Sequence, residues 1–207
     1  MITGNINQIR NNLNGSDATL IVVSKKQTDD RIDEALDLGI RIYGENRVQE
    51  AFGRWEHRRK RHTDLELHLI GPLQTNKVKQ AVQLFDVIHT VDREKLAVEI
   101  YKHAPDIPCF IQVNVGNEPQ KSGIAKCDID QFYKFCTDMG MNIIGLMCIP
   151  PNDADPSVYF QWMQDKANSL NLKNLSMGMS SDYKKALQFG ATYIRVGSAL
   201  FGSRQID

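Results

Sequence analysis

Apolar and polar positions follow one repeating order along this chain. A short run of aliphatic and β-branched residues gives way to a polar break and then to an amphipathic stretch. Ile2, Ile6, Ile9 and Leu13 recur at helical spacing and predict a first helix, ended by Asn14-Gly15. The stretch Ala18 to Val23 then ends abruptly in Ser24-Lys25-Lys26. A continuous apolar run of this length predicts a strand over 19–24, buried on both faces. A helix over 28–38 follows, with Thr28 as N-cap, Asp29 and Asp30 in its first turn, Ile32, Ala35 and Leu36 on one face, and Gly39 as its stop. The same two-part pattern predicts strands over 40–43, 65–70, 87–90, 107–115, 142–149, 174–177 and 192–196. Helices are predicted over 45–60, 75–84, 92–103, 128–138, 155–170 and 181–189, with a last short helix from Ala199.

Eight strands, each followed by a helix, imply parallel pairing and a closed (β/α)8 TIM-type barrel with one extra helix at the N-terminus. A doubly wound open sheet is the alternative. No Gly/Ser linker divides the chain, and the proline-rich stretch Pro150 to Pro156 falls between a strand and its helix, so we expect a single domain over 1–207. In a closed barrel the last strand lies beside the first. Arg195 is then near Lys25, and their loops open on the same rim.

Composition narrows the function. Lys plus Arg number 25 and Asp plus Glu number 25, so no net field draws the protein to nucleic acid or to a membrane. Met1 to Leu13 lacks an apolar core with a cleavage site, and no apolar run approaches the length needed to span a bilayer. Cys109, Cys127, Cys136 and Cys148 form no C-x-x-C pair, and the five histidines form no H-E-x-x-H. We therefore expect no zinc site and a reduced, cytoplasmic setting.

Candidate chemistry gathers at the predicted carboxyl ends of strands, where barrels of this kind carry their sites. Lys25 has two readings there: an amine nucleophile held between a dry strand and a loop, or the strand's exit to water. From this stretch alone the second is preferred. Ser176-Met177-Gly178-Met179-Ser180-Ser181-Asp182 and Arg195-Val196-Gly197-Ser198 each offer a glycine, a hydroxyl and a helix start. They follow the seventh and eighth strands, the usual place for phosphate in a barrel. Ser180, Ser181 and Ser198 also have a plain reading as N-caps. Asn46 either points its amide into the barrel mouth or, like Glu45, caps the next helix. His68, within an apolar strand, reads as a hydrogen-bonded core histidine. The basic run Arg54 to His62 reads mainly as a solvated helix end, with nucleic-acid binding as the weaker alternative.

Taken in order, these motifs resemble the pyridoxal phosphate homeostasis proteins. The resemblance rests on Val23-Ser24-Lys25, Gly44-Glu45-Asn46 with Val48-Gln49-Glu50, and Ile70-Gly71 with Leu73-Gln74 and Asn76-Lys77. His89-Thr90-Val91-Asp92, Gln112-Val113-Asn114, Lys121-Ser122-Gly123 and Gly145-Leu146-Met147 add to it, as do Ser176 to Ser180 and Arg195 to Ser198 with Phe201-Gly202. It runs from about residue 18 to the C-terminus. It implies a barrel like the N-terminal domain of alanine racemase, carrying pyridoxal 5′-phosphate as a Schiff base on Lys25. Arg195 would face the pyridine nitrogen, Ser180, Gly197 and Ser198 would hold the phosphate, and Asn46 would line the pocket. The implied role is vitamin B6 and amino-acid homeostasis: a monomer that buffers the cofactor or delivers it to apo-enzymes, without efficient catalysis. A racemase-like enzyme using the same cofactor is the alternative. The chain departs from the family where Ser181 replaces a frequent aspartate and Ser198 a frequent threonine. Both departures leave a hydroxyl in place.

Overall fold

The computed structural model describes residues 2–202. Nine helices and nine strands run in the order α1 (Ile2–Leu13), β1 (Thr19–Val23), α2 (Asp29–Asp37), β2 (Ile42–Glu45), α3 (Val48–Arg61), β3 (Glu66–Leu69), α4 (Val78–Ala81), β4 (Val87–Val91), α5 (Glu94–His103), β5 (Cys109–Asn114), β6 (Ile124–Ala125), α6 (Ile129–Asp138), β7 (Ile143–Cys148), α7 (Ser157–Ser169), β8 (Asn174–Met179), α8 (Tyr183–Gln188), β9 (Tyr193–Val196) and α9 (Ser198–Phe201) among the described residues. Every pairing is parallel. The strand order β4-β3-β2-β1-β9-β8-β7-β5 closes on itself through a β4–β5 pairing, which makes an eight-stranded barrel and excludes the open sheet. The two-residue β6 is an extra strand on β5, so the seventh and eighth barrel strands are β8 and β9.

The strands bury both faces, as their apolar runs require. Val22, Tyr43, Leu67, Leu69, Ile111, Leu146 and Ile194 join the large cluster formed with the helices. Val87, Phe110 and Met147 form a smaller cluster inside the barrel, with Ile149 and Tyr193 packed on it. The buried polar side chains include His68, His89, Gln112, Ser176 and Arg195. The first helix is real: Ile2, Ile6 and Ile9 are buried, and Asn5 donates to the Leu200 carbonyl at 2.8 Å, which ties α1 to α9.

Four expectations need correction. The helix expected over 75–84 is a 3-10 turn, Thr75–Lys77, followed by the single turn of α4. The helix expected from Glu45 begins at Val48, and neither Glu45 nor Asn46 caps it. Thr28 stands at the N-cap of α2 without a side-chain cap bond. The strand β6 was not expected. It is two residues long, too short to carry a periodic pattern.

Candidate ligand-binding site at the barrel mouth

Lys25 reaches the mouth because of the turn that follows β1. Gln27 N–H donates to the Ser24 carbonyl at 3.1 Å, and Lys26 takes a left-handed φ of 61° to close that turn. Ser24 is fixed from behind: its hydroxyl donates to Glu45 Oε1 at 2.6 Å. The same oxygen accepts from Arg54 Nη1 at 2.7 Å and from Trp55 Nε1 at 2.8 Å. Glu45, fully buried, therefore clamps β1, β2 and α3 together just behind Lys25.

Arg195 lies one strand away. Ile21 of β1 is in register with Arg195 of β9. The guanidinium is buried, donating from Nη1 to Ser176 Oγ at 2.7 Å and from Nη2 to the Cys148 carbonyl at 2.8 Å. Burial lowers its pKa from the ordinary value, yet arginine keeps its charge at any ordinary pH. With two of five N–H groups engaged, it has donors left for a ligand.

The loops after β8 and β9 meet at Ser180. Its hydroxyl accepts from the N–H groups of Gly197 and Ala199, each at 3.2 Å. The loop before it is pinned by Asp182, whose Oδ1 accepts from Met179 N–H at 2.6 Å. Two backbone donors at a helix start thus converge with a hydroxyl, the arrangement that binds phosphate.

One cavity of about 300 Å3 joins these parts: Lys25, Ser180, Arg195, Gly197 and Ser198 all line it, with Gln27. That size suits a small cofactor. Gln27 Oε1 is buried there without a hydrogen-bond partner, an acceptor left for a ligand. The set of an amine, a guanidinium, convergent N–H donors and hydroxyls fits a phosphorylated aromatic aldehyde. Asn46 is not in this cavity. It lines a neighbouring one of about 510 Å3 that also contains Lys25, so the two meet at the lysine.

The family model described as alanine racemase, N-terminal domain, matches residues 1–205. A pyridoxal phosphate homeostasis protein of Aquifex aeolicus is 38% identical over 204 residues, covering 91% of this chain and 88% of the relative. That of Escherichia coli K12 is 32% identical over 226 residues, covering 98% and 97%. This chain belongs to the pyridoxal phosphate homeostasis family. The structure of PipY from Synechococcus elongatus without pyridoxal phosphate superposes with a TM-score of 0.88 at 35% identity, covering 98% of this chain and 100% of PipY. PipY with pyridoxal phosphate bound gives 0.83 at 34% identity, over the same shares. An alanine racemase of Clostridium difficile, at 14% identity and a TM-score of 0.77, shares the fold over 100% of this chain and 57% of its own.

Of the site residues expected for a homeostasis-family chain, Lys25, Ser180, Arg195, Gly197 and Ser198 come together on one cavity and Asn46 does not, and the groups that support them were not foreseen. Glu45 clamps Ser24 rather than capping a helix. Gln27 was not singled out by the sequence, and Ser176 entered only as part of its loop motif. Four cations of the basic run are held in ion pairs: Arg54 with Glu45, Arg58 with Asp29 and Asp33, Arg59 with Asp86 and Lys60 with Glu56.

Proposed function

We propose that this protein holds pyridoxal 5′-phosphate in the cavity at the barrel mouth and stores or delivers it, without efficient turnover of amino acids. The observation that carries the reading is that Lys25, Arg195 and the Ser180/Gly197/Ser198 loops, distant in sequence, line one cavity. Lys25 would hold the aldehyde carbon, Arg195 would donate to the ring nitrogen, and Ser180 with the N–H groups of Gly197 and Ala199 would hold the phosphate. Asn46 would border the far side of the lysine. When bound, the group supplies an electron-withdrawing ring. Arginine acts there only as a donor and leaves the nitrogen unprotonated, which keeps that pull modest. Glu45 holds Ser24, and so Lys25, in place.

The bound PipY structure and the names of the relatives support the cofactor. The chemistry of the site suggests recipients among apo-enzymes that use the same cofactor. We place the protein in the cytoplasm as a monomer over a single domain. Cys109, Cys136 and Cys148 are buried free thiols whose pKa values burial pushes up to about 12, as suits a reducing compartment. Among the described residues no helix is long and apolar enough to cross a membrane.

Titration of the protein with pyridoxal phosphate tests this. The wild type should develop a new near-violet absorbance band that saturates at one equivalent, and Lys25→Ala should lose it while Lys26→Ala keeps it. Equal bands in all three would remove Lys25 from the site.

A further inference from the structure

A line of hydrogen-bonded side chains crosses the barrel interior. It starts at Arg195 beside the mouth, where Nη1 donates to Ser176 Oγ at 2.7 Å. Ser176 Oγ lies 2.8 Å from His89 Nδ1, His89 Nε2 lies 2.7 Å from His68 Nδ1, and His68 Nε2 lies 2.7 Å from Glu66 Oε1. Ser176, His68 and His89 are fully buried, whereas the Glu66 side chain is 42% exposed at the start of β3, the opposite rim.

The ends of this line fix its direction. Arginine can only donate, and an ionised carboxylate can only accept. The hydrogen bond from His68 holds the Glu66 carboxyl below its ordinary pKa, so it is ionised at neutral pH. His68 then carries its proton on Nε2 and accepts at Nδ1. His89 carries its proton on Nε2 and accepts at Nδ1 from the Ser176 hydroxyl. Every donor points from the mouth toward Glu66. One further proton reverses the upper half. A proton taken up from solvent leaves Nδ1 of both rings protonated: the His89 Nε2 proton passes to His68 Nδ1, the added proton resides on His89 Nδ1, and Ser176 turns its own O–H away to accept from it. His68 is then an imidazolium against Glu66, His89 is neutral with its proton on Nδ1, and Ser176 accepts from both Arg195 and His89. Only N–H and O–H bonds are exchanged, and the proton count rises by one.

We propose that Ser176, His89 and His68 form a proton relay that couples the ligand site at Arg195 to Glu66 on the opposite rim. The coupling to a bound ligand rests on the cofactor reading above; the relay itself does not. The charged and titratable groups facing the histidine pair are Glu66 from β3, and Tyr193 and Arg195 from β9, with the Tyr193 ring centroid 5.8 Å from His68 and 6.0 Å from His89. Phe110 stacks on His89 from β5 at 4.3 Å and contributes no charge. Burial, His68 and Arg195 all lower the pKa of His89, so the pair takes up one proton and not two. Ser176, His89 and His68 are positioning residues: they touch the ligand only through Arg195.

The histidine ring nitrogens of the ligand-free protein report the relay directly by nitrogen-15 NMR. As the pH is lowered, the pair should take up one proton in the same step in which His89 switches from Nε2–H to Nδ1–H. Glu66→Gln, at the half-exposed rim, should move that step down by about one pH unit or more, the scale of a lost opposite charge. Ser176→Ala should abolish the fixed tautomer of His89. Separate steps, or a step indifferent to Glu66→Gln, would overturn the relay. Adding pyridoxal phosphate should raise the midpoint, because an anion at the mouth favours the added proton and linkage is reciprocal. Binding without a shift would overturn the coupling. Absence of binding with the joint step intact would overturn the cofactor reading and leave the relay standing.

Discussion

At the scale of single residues, the site is a set of donors aimed at one anion. Ser180 Oγ and the N–H groups of Gly197 and Ala199 already share hydrogen bonds at 3.2 Å, a geometry that a phosphate oxygen would join. A neutral donor to a charged group is worth roughly 1.5–3 kcal/mol, or about one to two decades of affinity. The double variant Ser180→Ala with Ser198→Ala should therefore weaken pyridoxal phosphate by about a hundredfold or more and unphosphorylated pyridoxal hardly at all. Isothermal titration with both ligands checks this, and equal losses would place the phosphate elsewhere. Glu45 acts at the same scale from behind. Truncating it to Ala leaves the Ser24 hydroxyl, the Trp55 N–H and the Arg54 cation without their shared acceptor inside the core. Loss of a buried, hydrogen-bonded charge typically costs about 3–5 kcal/mol, so chemical denaturation should show a drop of that order.

At the scale of elements, the seventh barrel strand and its loop are the sensitive part. Gly178 has φ of +92°, and a Cβ there would come within 2.6 Å of the Ala186 Cβ and 2.9 Å of the Tyr183 Cα. Gly178→Ala should lose roughly 1–3 kcal/mol of stability by overpacking and strain, and should also weaken ligand binding, because Ser180 is two residues on. Unchanged stability and affinity would show that β8 and α8 can part without cost. The strands were legible from short apolar runs such as Leu20 to Val23, repeated at regular spacing between amphipathic stretches. Helix starts were less legible. The sequence Gly44-Glu45-Asn46 has the composition of a cap, but Glu45 is drawn inward by Ser24 and Trp55, partners from β1 and α3 that local pattern does not reveal. Lys25, Arg195 and Ser180 could be placed from the order of strands, since closure alone brings their loops together. The role of Ser176 could not, because it depends on partners from other strands.

At the scale of the whole molecule, the barrel interior carries an acid-sensitive load. His89 is buried neutral, with its pKa held well below the ordinary value mainly by burial. Below about pH 6.5 the unfolded chain binds a proton there and the folded chain does not, so stability falls as pH falls. Glu66, also lowered, acts in the same direction at more acid pH. Urea denaturation should lose about 1.4 kcal/mol per pH unit on descending from about pH 6.5, per proton excluded. His89→Phe, which keeps a ring beside Phe110, should flatten that slope; an unchanged slope would assign the proton elsewhere. The barrel also bears on turnover. Racemisation needs bases on both faces of the substrate's α-carbon. Among the described residues lining the cavity, Lys25 is the one amine and no carboxylate, histidine or tyrosine faces it. Incubation with L-alanine and the cofactor in deuterated water, followed by chiral analysis, should show at most slow exchange. Racemisation on the order of 1 per second or faster would make this an enzyme.

The central claim is that one lysine, at the end of the first strand, holds the cofactor. Borohydride reduction of the protein mixed with one equivalent of pyridoxal phosphate, followed by peptide mapping, measures this most directly. The label should fall on Lys25. A label on Lys26, whose left-handed backbone turns it to solvent, or on Lys77 in the neighbouring cavity, would contradict the account.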